Sequence, residues 1–461
     1  MNQPAVTPVA APAALSRSLQ PRHMSMITIG GIIGAGLFVS SSAAIAAVGP
    51  AIVISYAITG GLVLLIMRML GEMAVAMPNI RSFTEFARAG LGDWAGFSAG
   101  WLYWYFWIIV IPAEAIAGAL ILNNWMPGVP TWVFGVGLMA IMTGVNLMSA
   151  RSYGEFEFWF ASIKVAAIIV FIALTAAYAF GLTHASGSTF GNLTSHGGFM
   201  PMGPVSVLAA VTTVFFSLTG AEIVTIAAAE SVEPAKAVAS MTSTVVWRIL
   251  IFYVGSIFLI VSVIPWDTIK PGFSPFTAAL DAMNIQYAGT IMSAIILTAV
   301  LSCLNSAFYV ASRVLFVLAE RGDAPRALVK TNARHVPARS VMLGCVAGLA
   351  GILARELSPD TVFAFLVNAS GALIVFVYMA IAVSQIRLRR AREAAGVLPS
   401  PLTMWFFPWA SYLAIGAMIA VLIAMAYYPA HRSELLTSVL SVAVALIAYF
   451  ALRHGRSARA T

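Results

Sequence analysis

Four ionisable side chains stand inside long apolar stretches of this sequence: Glu114, Lys164, Glu222 and Arg313. A charge withdrawn from water into lipid is expensive, so such residues mark transport pathways, internal ion pairs or proton relays. A carboxylate or ammonium in such surroundings is a candidate for reversible protonation. Lys164 lies several residues into its stretch, where it either titrates or snorkels to the inner surface. Glu114, shortly after Pro112, could receive an ammonium group, pair internally or reach the outer interface. Glu222 either titrates or hydrogen-bonds unwound backbone beside it. Arg313, and Arg68 with Glu72, lie near the inner ends of their stretches and read as ion pairs or anchors.

The backbone supplies further chemistry. Two apolar stretches carry small-residue interruptions, GGIIGAG from Gly30 to Gly36 and FFSLTGAE from Phe215 to Glu222. A helix broken at Gly34, Ala35 and Gly36 would present amides at the N-terminus of the following half-helix, where a carboxylate is favoured. Carbonyls of Phe215, Phe216 and Thr219 at the other interruption could accept from an ammonium group. A zwitterion fits that pair of polarities, with Phe216 as a gate over it. The same glycines could instead serve close helix packing, since Gly30 and Gly34 have small-xxx-small spacing. Ser302, Cys303, Asn305 and Ser306 are small and polar enough to border the same cavity, as is Ser370, although a buried Cys often serves as a small apolar residue. The aromatic run Trp101, Tyr103, Trp104, Tyr105, Phe106 and Trp107 is packing or, on one face, a gate.

No G-x-S-x-G, H-E-x-x-H or Walker A stretch is present, which speaks against an enzyme and against ATP-driven transport. None of the six histidines falls within an apolar stretch, and neither they nor Cys303 and Cys345 have metal-ligand spacing, so neither a metal nor another cofactor is expected. A channel would need a continuous polar path, whereas polar residues here gather at two interruptions. A sensor that does not transport would share every one of these features.

The elements that must position these groups are membrane helices. Of 461 residues, 61% are hydrophobic and 9% charged, where a soluble domain carries about 25% charged residues. Mean hydropathy is +0.93. The apolar blocks predict an all-α polytopic membrane protein with about twelve spans, near 24–48, 51–77, 96–123, 131–149, 157–181, 204–230, 246–265, 287–318, 340–355, 360–385, 406–428 and 434–452. The amphipathic stretch after Pro78, with Phe83, Phe86 and Leu91, suits a helix on the inner surface. Lys and Arg crowd one set of connections (among them Arg22, Arg88, Arg321, Arg389 and Arg453), and the other set holds only Lys270, Arg355 and Arg432. Short basic loops stay in the cytoplasm, so both termini are expected there, and the net charge of +8 is a topology signal that calls for no nucleic-acid partner. Residues 1–23 read as a disordered cytoplasmic tail, 24–385 as a ten-helix transport core, 386–405 as a cytoplasmic loop, 406–452 as two peripheral helices and 453–461 as a second tail. The two interruptions occupy spans one and six, the matching positions of two five-span halves.

The segments GGIIGAGLF (Gly30–Phe38), RMLGEMAVAMP (Arg68–Pro78), GWLYWYFW (Gly100–Trp107), YGEFEFWF (Tyr153–Phe160), GAEIVTIAAAE (Gly220–Glu230), LSCLNSAFYVASR (Leu301–Arg313) and LVNASGALIVFVYMAIAVSQ (Leu366–Gln385) resemble those of the amino acid permeases of the amino acid-polyamine-organocation superfamily. The resemblance runs nearly end to end, and within the superfamily it looks most like the bacterial 4-aminobutyrate (GABA) permeases; proline, aromatic, lysine and histidine permeases share most of these segments. It implies two inverted five-helix repeats with broken helices one and six, of the LeuT kind, plus two peripheral helices in the cytoplasmic (inner) membrane. It also implies alternating access, import of a small amino acid and coupling to protons. In that family the Glu matching Glu222 gates or takes part in proton coupling, and the Lys matching Lys164 resembles a built-in substitute for the cation that sodium-coupled members hold between their first and eighth helices. Cys303 beside Asn305 then lines a side pocket of the substrate site.

Overall fold

The computed structural model describes residues 19–30, 33–78, 80, 82–183, 187–223, 225, 249–359, 361–398 and 400–457. Residues 1–18 of the expected tail, Gly31 and Ile32 of the first interruption, Val224 and residues 226–230 of the sixth stretch, 246–248 of the seventh and 458–461 at the C-terminus lie outside the described residues, as do Arg17, Arg81, Lys236, His184 and the side chain of Asn368.

The described regular structure is helical throughout. In chain order the main elements are α1 (Pro21–Gly30), α2 (Gly36–Val48), α3 (Ile52–Ala76), α4 (Phe83–Leu91), α5 (Asp93–Trp125), α6 (Thr131–Asn146), α7 (Ala150–Ala179), α8 (Pro204–Leu218), α9 (Ile251–Val263), α10 (Pro275–Ala282), α11 (Ala288–Glu320), α12 (Ala338–Leu357), α13 (Val362–Ala394), α14 (Trp409–Tyr427) and α15 (Arg432–Ser457). Eight of these are long and apolar enough to cross a bilayer, and α2, α6, α8 and α9 are shorter apolar helices. The chain is therefore a multi-pass α-helical membrane protein.

Both interruptions are real breaks. The first expected span, 24–48, is two pieces: α1 stops at Gly30, and α2 resumes at Gly36 with a π-helical turn through Ser40. At the second, α8 ends at Leu218, Thr219 turns extended (φ −71°, ψ 142°), and Gly220 takes φ 125°, a conformation glycine adopts at little cost.

α5 runs through the centre of the bundle, packed on α4, α6, α11, α12, α13 and α15. α7 shows lipid an apolar flank that includes Trp159, Ile169 and Val170. The tail expected to reach residue 23 ends sooner, because α1 begins at Pro21 and both Leu19 and His23 are fully buried. The loop expected at 386–405 is half helix, since α13 continues to Ala394, and the tail expected from 453 begins as the last turn of α15. α4, the amphipathic helix expected on the inner surface, buries Phe83, Thr84, Phe86 and Ala87. Ser82 caps it by accepting from the Thr84 amide (3.2 Å), and its Phe83 packs edge-on against Tyr103 of α5 with ring centroids 4.6 Å apart.

Candidate functional site

Lys164 of α7 reaches across to the C-terminal end of α1, where carbonyls lose their helical partners. Its Nζ donates to the carbonyls of Gly30 and Ile33, the latter at 2.9 Å, and to Ser302 Oγ of α11 at 2.8 Å. The side chain is fully buried and does not snorkel. Ser302 Oγ in turn donates to Glu157, lying 2.7 Å from each carboxylate oxygen, and Glu157 stands 3.7 Å from Lys164 Nζ. Sequence reasoning missed Glu157, which sits at the edge of its apolar stretch. Its spacing from Lys164, seven residues or two helical turns, was the available signal that the pair share a face.

Glu114 is almost fully buried, and both of its oxygens lie within hydrogen-bond distance of the Ala35 amide, at 3.2 and 3.1 Å. Of its possible roles, the structure therefore contains an internal one. The amide expected to await a substrate carboxylate already holds the protein's own. Gly34 makes this contact possible, because a Cβ there would lie 2.6 Å from Cys303 Cβ and 2.9 Å from Glu114 Oε1. Gly34, Ala35, Glu114 and Cys303 thus form one cluster. At Gly36 the two broken helices meet, and a Cβ would come 2.6 Å from Ser217 Cα and 3.2 Å from Phe216 Cδ1.

Glu222 is fully buried just past the second break. Tyr103 of α5 donates to its Oε1 (3.0 Å), while Tyr378 of α13 (2.9 Å) and the Gly220 amide (3.1 Å) donate to Oε2. One carboxylate thus joins three elements. Neither tyrosine was singled out from the sequence: Tyr103 was hidden in its aromatic run, and a lone tyrosine in the apolar α13 was the missed signal for Tyr378.

Other expected residues fall elsewhere. The Phe215 carbonyl is not free for an ammonium group, because it accepts from the Thr219 amide (2.9 Å) and from Thr219 Oγ1 (2.7 Å). Asn305 faces α6, where its Oδ1 accepts from Asn146 Nδ2 at 2.8 Å, and it stays apart from the Glu114 cluster. Ser306 lies one turn beyond Ser302 and donates to Glu157 (3.3 Å), and Ser370 bonds its own helix at the Val367 carbonyl (2.7 Å). Arg313 stacks on the Tyr309 ring at 4.2 Å. Glu72 meets Arg389 (3.3 Å), while Arg68 donates to the Thr403 carbonyl (2.8 Å), so both tie the C-terminal half of α3 to α13 and the segment after it as structural contacts.

A cavity of about 510 Å³ opens on the face that carries Gly272, Arg355 and His431, and it reaches in to Ser40, Ala44 and Thr213 beside the breaks. At the other end of α5, Arg88 pairs with Asp93 (3.0 Å) and Asp323 (2.5 Å) and Arg321 pairs with Glu85 (2.6 Å), and Arg88, Asp93, Arg321 and Asp323 border a second cavity of about 360 Å³. Among the described residues no three His, Cys, Asp or Glu side chains gather as a metal site. The arrangement suits a small polar ligand entering from one face toward two broken helices, with buried groups able to exchange protons close by.

The family model for amino acid permeases matches residues 23–455. The chain is 45% identical to the gamma-aminobutyric acid permease of Bacillus subtilis, over 96% of this chain and 94% of that protein. It is 46% identical to the gamma-aminobutyric acid permease of Escherichia coli, over 93% of this chain and 92% of that one.

Proposed function

Because this chain belongs to the amino acid permease family, we propose that it imports 4-aminobutyrate across the cytoplasmic membrane by proton symport, with both termini inside. The proposed architecture is twelve spans, ten of them in two inverted five-helix repeats and two peripheral. The family membership accounts for amino acid transport, and the relatives named for gamma-aminobutyric acid support the choice of substrate.

The observation that carries the coupling is the seat of Lys164. Its ammonium group fills a cage of oxygens contributed by Gly30, Ile33 and Ser302, between the break after α1 and the middle of α11. A bound metal cation would be satisfied by the same carbonyl and hydroxyl set. A protonated Lys164 therefore supplies from within the chain what an ion would supply from solution, and loss of its proton would loosen α1 from α7 and α11. Proton binding and release at Lys164 thus bias the conformation of the broken helix, which is the requirement for coupling.

Substrate enters through the cavity on the Arg355 face. Its carboxylate takes the Ala35 and Gly36 amides at the positive end of α2 as Glu114 withdraws, and its ammonium group takes carbonyls of Phe216 and Thr219 at the second break. Phe216 occludes the pair. Glu222, held by Tyr103 and Tyr378, keeps the inner end closed until the site is filled.

The test is uptake of radiolabelled 4-aminobutyrate into proteoliposomes under an inward proton gradient without sodium, with proline, phenylalanine, lysine and histidine as unlabelled competitors. Uptake blocked by ω-amino acids alone is expected. Uptake blocked equally by one of the α-amino acids would replace the substrate, and absence of both uptake and counterflow would point to a sensor. In Lys164→Ala, gradient-driven uptake should vanish while exchange is less affected, and unchanged uptake would remove Lys164 from the coupling.

A further inference from the structure

Glu157, Ser306 and Tyr153 have no part in that scheme, yet with Lys164 and Ser302 they form a continuous polar ladder. On α7, Tyr153 and Glu157 are one helical turn apart, and on the facing α11 so are Ser302 and Ser306. The contacts alternate between the two helices: Lys164 Nζ to Ser302 Oγ (2.8 Å), Ser302 Oγ to Glu157 (2.7 Å), Ser306 Oγ to Glu157 (3.3 Å), and Tyr153 OH to Ser306 Oγ (3.1 Å). Every side chain in the ladder is at most 1% exposed. It descends from the break after α1 toward the N-terminal end of α7, where Arg22 and His23 meet Glu155 (2.5 and 3.2 Å).

From this geometry we propose that Glu157 accepts the proton that Lys164 gives up, through Ser302, and passes it along α7 and α11 to the inner face. The inference deepens the symport reading and rests on it. Lys164 Nζ and Glu157 form an ion pair at 3.7 Å, longer than a hydrogen bond, and the hydroxyl between them accepts from one and donates to the other. In the transfer a Lys164 N–H bond breaks as an O–H bond forms on Ser302, and the original Ser302 O–H breaks as one forms on Glu157. Two buried charges become a neutral amine and a neutral acid, so the step moves no net charge into lipid. A buried ion pair kept only for stability gains little over apolar packing, whereas a hydroxyl-bridged pair can change state. Glu157 then releases its proton past Ser306 and Tyr153, and Lys164 regains one when the outer cavity refills.

The groups facing this pair come from three sides. The end of α1 and the break after it offer the Gly30 and Ile33 carbonyls, α5 offers Glu114, and α11 offers Cys303, with Arg313 and Tyr309 farther along near Tyr153. Glu114 already holds the Ala35 amide. Glu157 is the carboxylate that the Ser302 hydroxyl bridges to Lys164.

The experiment uses the full chain in proteoliposomes, with labelled 4-aminobutyrate and a pH dye inside. Wild type comes first: if an inward proton gradient drives no accumulation, the symport reading itself falls. Given that it does, Glu157→Gln should lose gradient-driven accumulation and substrate-linked acidification of the lumen while counterflow persists, with Glu157→Asp restoring part of both. Ser302→Ala, which keeps both charges and removes only the bridge, should show the same split and serves if Glu157→Gln does not fold. Wild-type accumulation and pH profile in either variant would overturn the relay. So would equal loss of accumulation and counterflow in both, since that is the mark of a scaffold.

Discussion

Both carboxylate oxygens of Glu114 lie 3.2 Å or less from the amide of Ala35, the residue that caps the N-terminus of α2. A helix N-terminus offers few free amides, and a carboxylate there satisfies a donor and meets the positive end of the helix dipole. A substrate carboxylate must therefore displace Glu114 or find it neutralised. Glu114→Ala should tighten 4-aminobutyrate binding, by about tenfold if the competition is worth about 1.4 kcal/mol. It should also lower the melting temperature without substrate, because a buried amide left unpaired costs about 1–3 kcal/mol. Calorimetric titration of the purified variant reads the first effect and a thermal scan the second. Weaker binding would instead assign Glu114 to the ammonium end of the substrate.

The same corner explains Gly34. A methyl group there would press on Cys303 Cβ at 2.6 Å and on Sγ at 2.8 Å, distances at which the neighbour must move. Gly34→Ala should abolish substrate binding. Adding Cys303→Gly removes both of those atoms and should recover part of it, since the remaining contact is the end of the Glu114 side chain, which can rotate. Binding in the double variant no better than in Gly34→Ala alone would show that Gly34 is needed for backbone conformation and not for space.

How far the sequence could be read follows from what each signal depends on. The breaks between Gly30 and Gly36 and at Thr219–Gly220 were legible because small residues in an apolar run are local facts. Lys164 and Glu114 were legible as charges in lipid, for the same reason. Partners were not. Glu114 meets Ala35 across 79 positions of sequence, and Lys164 meets Gly30 across 134, so their contacts depend on how helices pack. The Phe215 carbonyl illustrates the opposite error, since whether a backbone acceptor at a break stays free depends on the next side chain, and Thr219 turns back to fill it. Tyr103 and Tyr378 gain their meaning only from Glu222 between them.

Those two tyrosines make a sharp case. Each donates to a different oxygen of Glu222, from helices far apart in sequence. Tyr103→Phe or Tyr378→Phe alone should cost about 1–3 kcal/mol of stability by leaving a buried oxygen under-satisfied. Each should raise counterflow relative to net accumulation if Glu222 closes the site as proposed, because the end it holds then opens more readily. The two losses should not add, since members of one network are coupled. Melting temperatures of the two single variants and the double variant test this directly, and strict additivity would mean that the tyrosines act on Glu222 independently.

Outside the spans, His431 gives a pH dependence whose sign can be worked out. It stands in the turn Pro429–His431 between α14 and α15, at the mouth of the cavity that carries Arg355, with Nδ1 buried and unpartnered among the described residues. Burial lowers its pKa from the ordinary 6.5, and Glu434 opposes that shift only in part. Arg355, on the cavity wall, and the neighbouring Arg432 are the charged groups on the other sides. A folded pKa below the unfolded one means that the unfolded chain binds the proton more readily. The stability associated with neutral His431 is then complete above pH 6.5 and is lost as pH falls through the lowered value. Wild type should accordingly lose more melting temperature between pH 7.5 and 5.5, on the order of the range over which His titrates, than His431→Gln does. Equal losses in the two proteins would place the acid sensitivity elsewhere. A smaller loss in the variant would identify the turn between α14 and α15 as the part of the cavity mouth that loosens first in acid.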